Sequence, residues 1–101
     1  MDLSQSDWVK KQETIDSLVI LDVRTSEEFE SGHIPKARNL DILQPQSFME
    51  EVLNLAPNTH YFIYCRSGAR SAQACQLFKQ SGINNVYNLL GGITDWEGPT
   101  E

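Results

Sequence analysis

One stretch of the chain concentrates the residue types that do chemistry: Tyr64-Cys65-Arg66-Ser67-Gly68-Ala69-Arg70-Ser71. Cys65 is the candidate nucleophile. Gly68 lets the backbone curl so that its N–H groups converge on one point. An apolar run precedes the stretch and a helical pattern follows it, so the next helix would add a positive dipole end and unpaired N–H donors. Arg66 and Arg70 add two permanent positive charges. These groups all favour thiolate over thiol, which places the Cys65 pKa below the value of about 8.5 for a free cysteine. They would equally hold an anion. A cysteine and an anion cradle in one loop imply attack on, or transfer from, an oxyanion. Cys65 is therefore the candidate catalytic residue, with Arg66, Gly68 and Arg70 as candidate anion-binding groups.

The remaining candidates read as structural. Cys75 lies among Ala74, Leu77 and Phe78, about two helical turns beyond the loop at roughly 1.5 Å of rise per residue, so it is read as core and not as a disulfide partner of Cys65. His33 and His60 are far apart and neither stands at metal-ligand spacing from a cysteine. No metal and no cofactor is expected, and a triad with His33 is not needed, since a thiolate held by a helix end needs no general base.

Elements of the right kind flank the loop. His60-Tyr61-Phe62-Ile63-Tyr64 is the strongest strand signal, and Ser71 to Gln80 reads as a helix with Gly82 just past its end. Leu18 to Val23 is nearly all apolar, as in a strand buried on both faces. Ala37 to Leu40 and Val86 to Leu89 read as further strands. Helices are expected from Ser4, with Trp8 and Val9 facing inward, and over Ser26 to Glu30, with Ser26 as a cap and Gly32 as the stop. Another is expected from Pro45, with Phe48, Met49, Val52, Leu53 and Leu55 as its apolar face. A short final helix follows Gly91-Gly92. Strands and helices alternate, so the expected fold is α/β, a mostly parallel sheet flanked by helices. In such sheets sites form at the carboxyl ends of strands, where the loop of Cys65 lies.

Composition sets the limits. The chain has 101 residues, 40% hydrophobic and 22% charged, with two cysteines and a net charge of −6. One domain over residues 1–101 is expected, and a disulfide scaffold is excluded. No apolar run nears the roughly 20 residues of a membrane span, and charged residues interrupt the first twenty, so no membrane and a cytoplasmic location are expected. The acidic balance argues against nucleic acid. All 14 acidic residues lie outside positions 52–94, which hold Arg66, Arg70 and Lys79. That clearing of negative charge fits either a buried sheet or a bound anion.

From about residue 17 to 97 the sequence resembles the rhodanese family. Four stretches carry the resemblance: Leu21-Asp22-Val23-Arg24 with Glu28-Phe29; Gly32-His33-Ile34-Pro35 with Ala37 and Asn39; Tyr64 to Ser71; and Gly91-Gly92-Ile93 with Trp96. Their order and spacing match the small single-domain members. The resemblance implies a three-layer rhodanese-like fold and a sulfurtransferase. Cys65 would take sulfane sulfur from thiosulfate or a persulfide donor, hold it as a persulfide and pass it to cyanide or a thiol. Ala69, Ser71 and their neighbours Ser67 and Gly68 would line the cradle with backbone N–H groups, and Arg66 and Arg70 would bind the sulfonate. Asp22, Arg24 and His33 read as structural, with Arg24 paired to Glu28, and Trp96 as a packing lid. Lys36 stands where the family often has glycine, and the tail after Trp96 is short, which leaves closure of that edge open.

Phosphatases and arsenate reductases of the same fold class carry Cys-x5-Arg, whereas Cys65 to Arg70 is Cys-x4-Arg. The shorter loop favours sulfane sulfur, and the loop offers no general acid for a leaving alcohol. Two further functions are compatible with the resemblance: a non-catalytic interaction module, and a carrier that delivers persulfide to a partner protein.

Overall fold

Strand and helix signals alternate along the chain, and in the computed structural model, which describes residues 1–101, they form one five-stranded parallel sheet. The elements are β1 (Asp2–Leu3), α1 (Gln5–Glu13), β2 (Leu18–Asp22), α2 (Ser26–Glu30), β3 (Arg38–Asn39), α3 (Pro45–Asn54), β4 (His60–Tyr64), α4 (Ala69–Gln80) and β5 (Val86–Leu89), followed by a 3₁₀ turn at Ile93–Asp95. The strand order is β1-β5-β4-β2-β3, so β4 is central, paired from Leu18↔His60 to Asp22↔Tyr64 with β2 and from Tyr61↔Val86 to Ile63↔Asn88 with β5.

The period of two along β4 sorts the core into two layers. Tyr61, Ile63 and Cys65 face the side covered by α3 and α4, where they meet Phe48, Val52, Ala74, Cys75 and Phe78. Phe62 and Tyr64 face the other side, against Trp8, Ile34, Tyr87 and Leu89. Trp8 is fully buried, its ring edge-on to Phe62, Tyr64 and Trp96, and its indole N–H donates to the Tyr87 carbonyl at 3.1 Å. Trp96 thus packs as a lid on this layer. No helix is long and apolar enough to cross a membrane.

Several expectations are corrected. Residues 2–3 form a strand, which two residues without a period cannot announce; their partner β5 defines them. Thr25, not Ser26, caps α2: its side chain accepts from the Glu28 N–H while the Glu28 carboxylate accepts from the Thr25 N–H. This reciprocal box needs the cap three residues before the glutamate, and only Thr25 has that spacing. The bounds of α2 are those expected, Ser26–Glu30, with Ser31 as its C-cap and Gly32 just beyond. Val9 and Leu53 face solvent, because the buried stripes of α1 and α3 are narrower than their apolar content. Arg24 pairs with Asp22, not Glu28: Nη2 lies 2.6 Å from Oδ2, with both residues buried at the end of β2.

The two departures from the family pattern take definite forms. Lys36 adopts a left-handed conformation, φ 71°, the one non-glycine residue at positive φ. Residues 97–101 close their edge: His33 and Glu101 exchange backbone hydrogen bonds of 3.0 and 2.8 Å, and the Trp96 indole N–H donates to the Pro99 carbonyl.

Candidate active site

Cys65 is the first residue beyond the central strand, and α4 begins four residues later. Between them the chain must reverse, and Gly68 makes this possible with φ 107°, a left-handed value that side chains resist. It stands at the N-cap of α4 and offers no capping side chain, so the first turn of the helix keeps its donors for the loop. Three of them meet the sulfur. The Gly68 N–H donates to Sγ at 3.1 Å, the Ser71 N–H at 3.4 Å and the Ser71 hydroxyl approaches at 3.3 Å. The N–H groups of Ala69 and Arg70 have no acceptor within the chain. The helix itself starts at Ala69, two residues earlier than the sequence pattern suggested, because the loop's last turn is already helical.

Burial pushes the Cys65 thiol up, and the donors from Ser71, Gly68 and Ser67 outweigh it, so its pKa falls below the ordinary value. Cys75 goes the other way. Buried on α4 with no comparable donors, its thiol is pushed up to about 11. Two thiols ten residues apart are thus separated in reactivity by hydrogen bonding to one of them.

The two arginines differ. Arg66 is exposed and makes no side-chain ion pair or hydrogen bond. Arg70 forms a fork with Glu28, Nη1 to Oε1 at 2.8 Å and Nη2 to Oε2 at 3.0 Å. The Arg70 hydrogen bonds hold the Glu28 carboxyl at about 2, against a smaller opposing effect of burial. Arg70 is therefore placed at the cradle with its fork already taken, and the guanidinium without a partner is that of Arg66.

The floor of the loop is braced from below. The Ile93 N–H donates to the Cys65 carbonyl and the Thr94 N–H to the Arg66 carbonyl, both at 3.0 Å. This close approach requires Gly92, where a Cβ would stand 2.6 Å from the Cys65 carbonyl oxygen and closer still to that of Arg66. His33 and His60 are engaged elsewhere: the His33 ring stacks on Phe29 and its Nδ1 meets the Phe29 carbonyl, while His60 Nδ1 meets Tyr87 Oη.

The sequence pattern brings Cys65 to Ser71 together as one loop, and the structure does the same. The pattern misses Asn88. This residue is 2% exposed on β5, accepts from the Ser71 hydroxyl through Oδ1, and donates through Nδ2 to Asp2 Oδ1 at 3.0 Å and to the Gly68 carbonyl at 3.3 Å. A polar residue inside the run Val86-Tyr87-Asn88-Leu89 is the available signal, since a buried amide must find partners. The pattern also misassigns Glu28, four residues from Arg24 in a favourable helical-looking spacing, because Asp22 satisfies Arg24 first.

Comparison with known proteins identifies the family. The rhodanese-like domain profile matches residues 5–99. A sulfurtransferase of Allochromatium vinosum is 40% identical over 81 residues, which is 80% of this chain and 73% of that protein. YrkF of Bacillus subtilis, a proposed sulfur carrier, is 35% identical over 100 residues; these cover 99% of this chain but 52% of YrkF, so the chain spans about half that relative's length. The crystal structure of a rhodanese-like domain protein from Staphylococcus aureus, 28% identical, superposes with a TM-score of 0.82 over 99% of this chain and 95% of that one. With a matching profile over residues 5–99 and a matching fold, the chain belongs to the rhodanese-like domain family.

Proposed function

We propose that this chain is a sulfurtransferase that carries sulfane sulfur as a persulfide on Cys65. The observation that supports it most is the convergence of the Gly68 N–H, the Ser71 N–H and the Ser71 hydroxyl on one sulfur at the end of the central strand. These donors stabilise a thiolate before attack and again when it leaves. The thiolate attacks the outer sulfur of thiosulfate, the S–S bond breaks, and sulfite departs with the bonding pair. The persulfide then carries its charge on the outer sulfur. Cyanide or a thiolate takes that sulfur, and Cys65 leaves as thiolate again. The N–H groups of Ala69 and Arg70 receive the donor's oxyanion, and the guanidinium of Arg66 supplies the cation.

Arg70 takes a smaller part than a count of charges suggests, since Glu28 occupies its fork. A dense dianion such as thiosulfate therefore meets one unpaired arginine. That favours a second reading of the donor, a persulfide of lower charge, and the family likeness to the proposed carrier YrkF supports a protein thiol as acceptor.

Initial rates distinguish these readings. Thiosulfate with cyanide, and a small-molecule persulfide with a thiol, are compared in the natural chain, Cys65→Ser and Arg66→Ala. Transfer is lost in Cys65→Ser with either donor, and Arg66→Ala raises KM for thiosulfate more than for the persulfide. Hydrolysis of a phosphate ester without sulfur transfer would replace this reading with a phosphatase.

A further inference from the structure

Ser71 has one hydroxyl proton and two acceptors within reach. Its Oγ lies 3.3 Å from Cys65 Sγ and in a short hydrogen bond with Asn88 Oδ1. Ser71 and Asn88 are 0% and 2% exposed, so no bulk water reaches the pair to relieve the choice. The Asn88 amide is not free to turn: Nδ2 donates to Asp2 Oδ1 and to the Gly68 carbonyl, which leaves Oδ1 facing Ser71 as an acceptor only.

We propose that Asn88, anchored by Asp2, is a positioning residue that competes with Cys65 for the Ser71 hydroxyl proton. While Cys65 is a thiol, Ser71 donates to Asn88 and its lone pair accepts the S–H. When the thiol loses its proton to solvent, the hydroxyl turns to the thiolate, and Asn88 Oδ1 is left buried without a donor. That loss opposes thiolate formation. When sulfur is loaded, the charge moves to the outer sulfur and the hydroxyl returns to Asn88. The pair thus acts as a two-position switch that favours the loaded form over the bare thiolate. This last step rests on the persulfide reading; the competition for the proton does not.

The charged groups around the thiol bear on the test. Arg66 belongs to the loop itself. Arg70 approaches from α4 with Glu28 of α2 behind it, and Asp22 at the end of β2 acts on Arg70. Asp95 lies under Gly91 and Asp2 lies behind Asn88. Replacing Asn88 changes none of these charges.

The experiment is the pH dependence of iodoacetamide alkylation at Cys65, read by peptide-resolved mass so that Cys75 does not contribute. Asn88→Leu, close in shape, lowers the alkylation midpoint by about one pH unit. Ser71→Ala raises it. The double variant matches Ser71→Ala alone, because Asn88 acts only through that hydroxyl. A midpoint in Asn88→Leu that stays or rises overturns the proposal, as does a shift that persists without Ser71. Should Asn88→Leu not fold, Asp2→Ala decides: releasing the amide lowers the midpoint more in the presence of Ser71 than in Ser71→Ala, and equal shifts overturn the proposal. The readout is thiolate rather than sulfur, so it is decided even if the chain accepts no sulfur.

Discussion

Glu28 shows how one residue serves two ends of the site. Its carboxylate closes the capping box with Thr25 and holds the fork of Arg70. Glu28→Gln keeps the capping geometry, since glutamine also suits that position, and removes only the charge. The folded-state pKa of Glu28 is depressed from 4.5 to about 2, so its stabilisation is fully present above pH 4.5 and is lost as pH falls toward 2. Denaturation at a series of pH values therefore finds Glu28→Gln less stable than the natural chain at pH 6, with the gap closing near pH 2. A gap independent of pH would contradict the pairing. The same variant frees Arg70 for an anionic donor, and the expected result is a lower KM for thiosulfate. Cys65 is legible from its loop alone, because glycine, two arginines and a following helix all point to one thiolate. The partner of Arg70 is not, since Glu28 lies 42 residues away and its nearest basic neighbour in sequence, Arg24, is taken by Asp22.

At the scale of elements, glycine positions and turns decide whether the cradle keeps its shape. Gly92 lets the Ile93 and Thr94 N–H groups reach the carbonyls of Cys65 and Arg66. Gly92→Ala forces that floor apart and costs more than about 2 kcal/mol, measurable by urea unfolding, with loss of thiolate character at Cys65. A neutral result would show that the floor gives way without disturbing the loop. Lys36 is the opposite case. It occupies a left-handed conformation that glycine adopts freely, so Lys36→Gly is expected to stabilise the chain by about 0.5–1 kcal/mol after the entropy of glycine is counted. Equal or lower stability would mean that the lysine side chain contributes contacts that offset the strain. Strand β4 and the start of α3 at Pro45 are legible because apolar patterning and proline act locally. The strand at residues 2–3 is not, because its existence depends on β5, more than eighty residues further on.

Over the whole molecule, the absence of acidic residues between 52 and 94 corresponds to β4, α4 and β5, the centre of the sheet and one wall of the site. Folding returns acids to that region from both ends of the sequence: Glu28 to Arg70, Asp2 to Asn88, Asp95 beneath Gly91. The cradle thus relies on backbone N–H groups and one hydroxyl more than on net positive charge. Fold class follows from alternating elements, while this redistribution of charge depends on long-range packing that no segment reports. Persulfide formation at Cys65 is the central claim, and intact mass tests it most directly, measured before and after incubation with thiosulfate or a small-molecule persulfide and again after cyanide. The account predicts a gain of one sulfur atom, located on Cys65 and removed by cyanide. No gain from either donor, with Cys65 still open to alkylation, would contradict it.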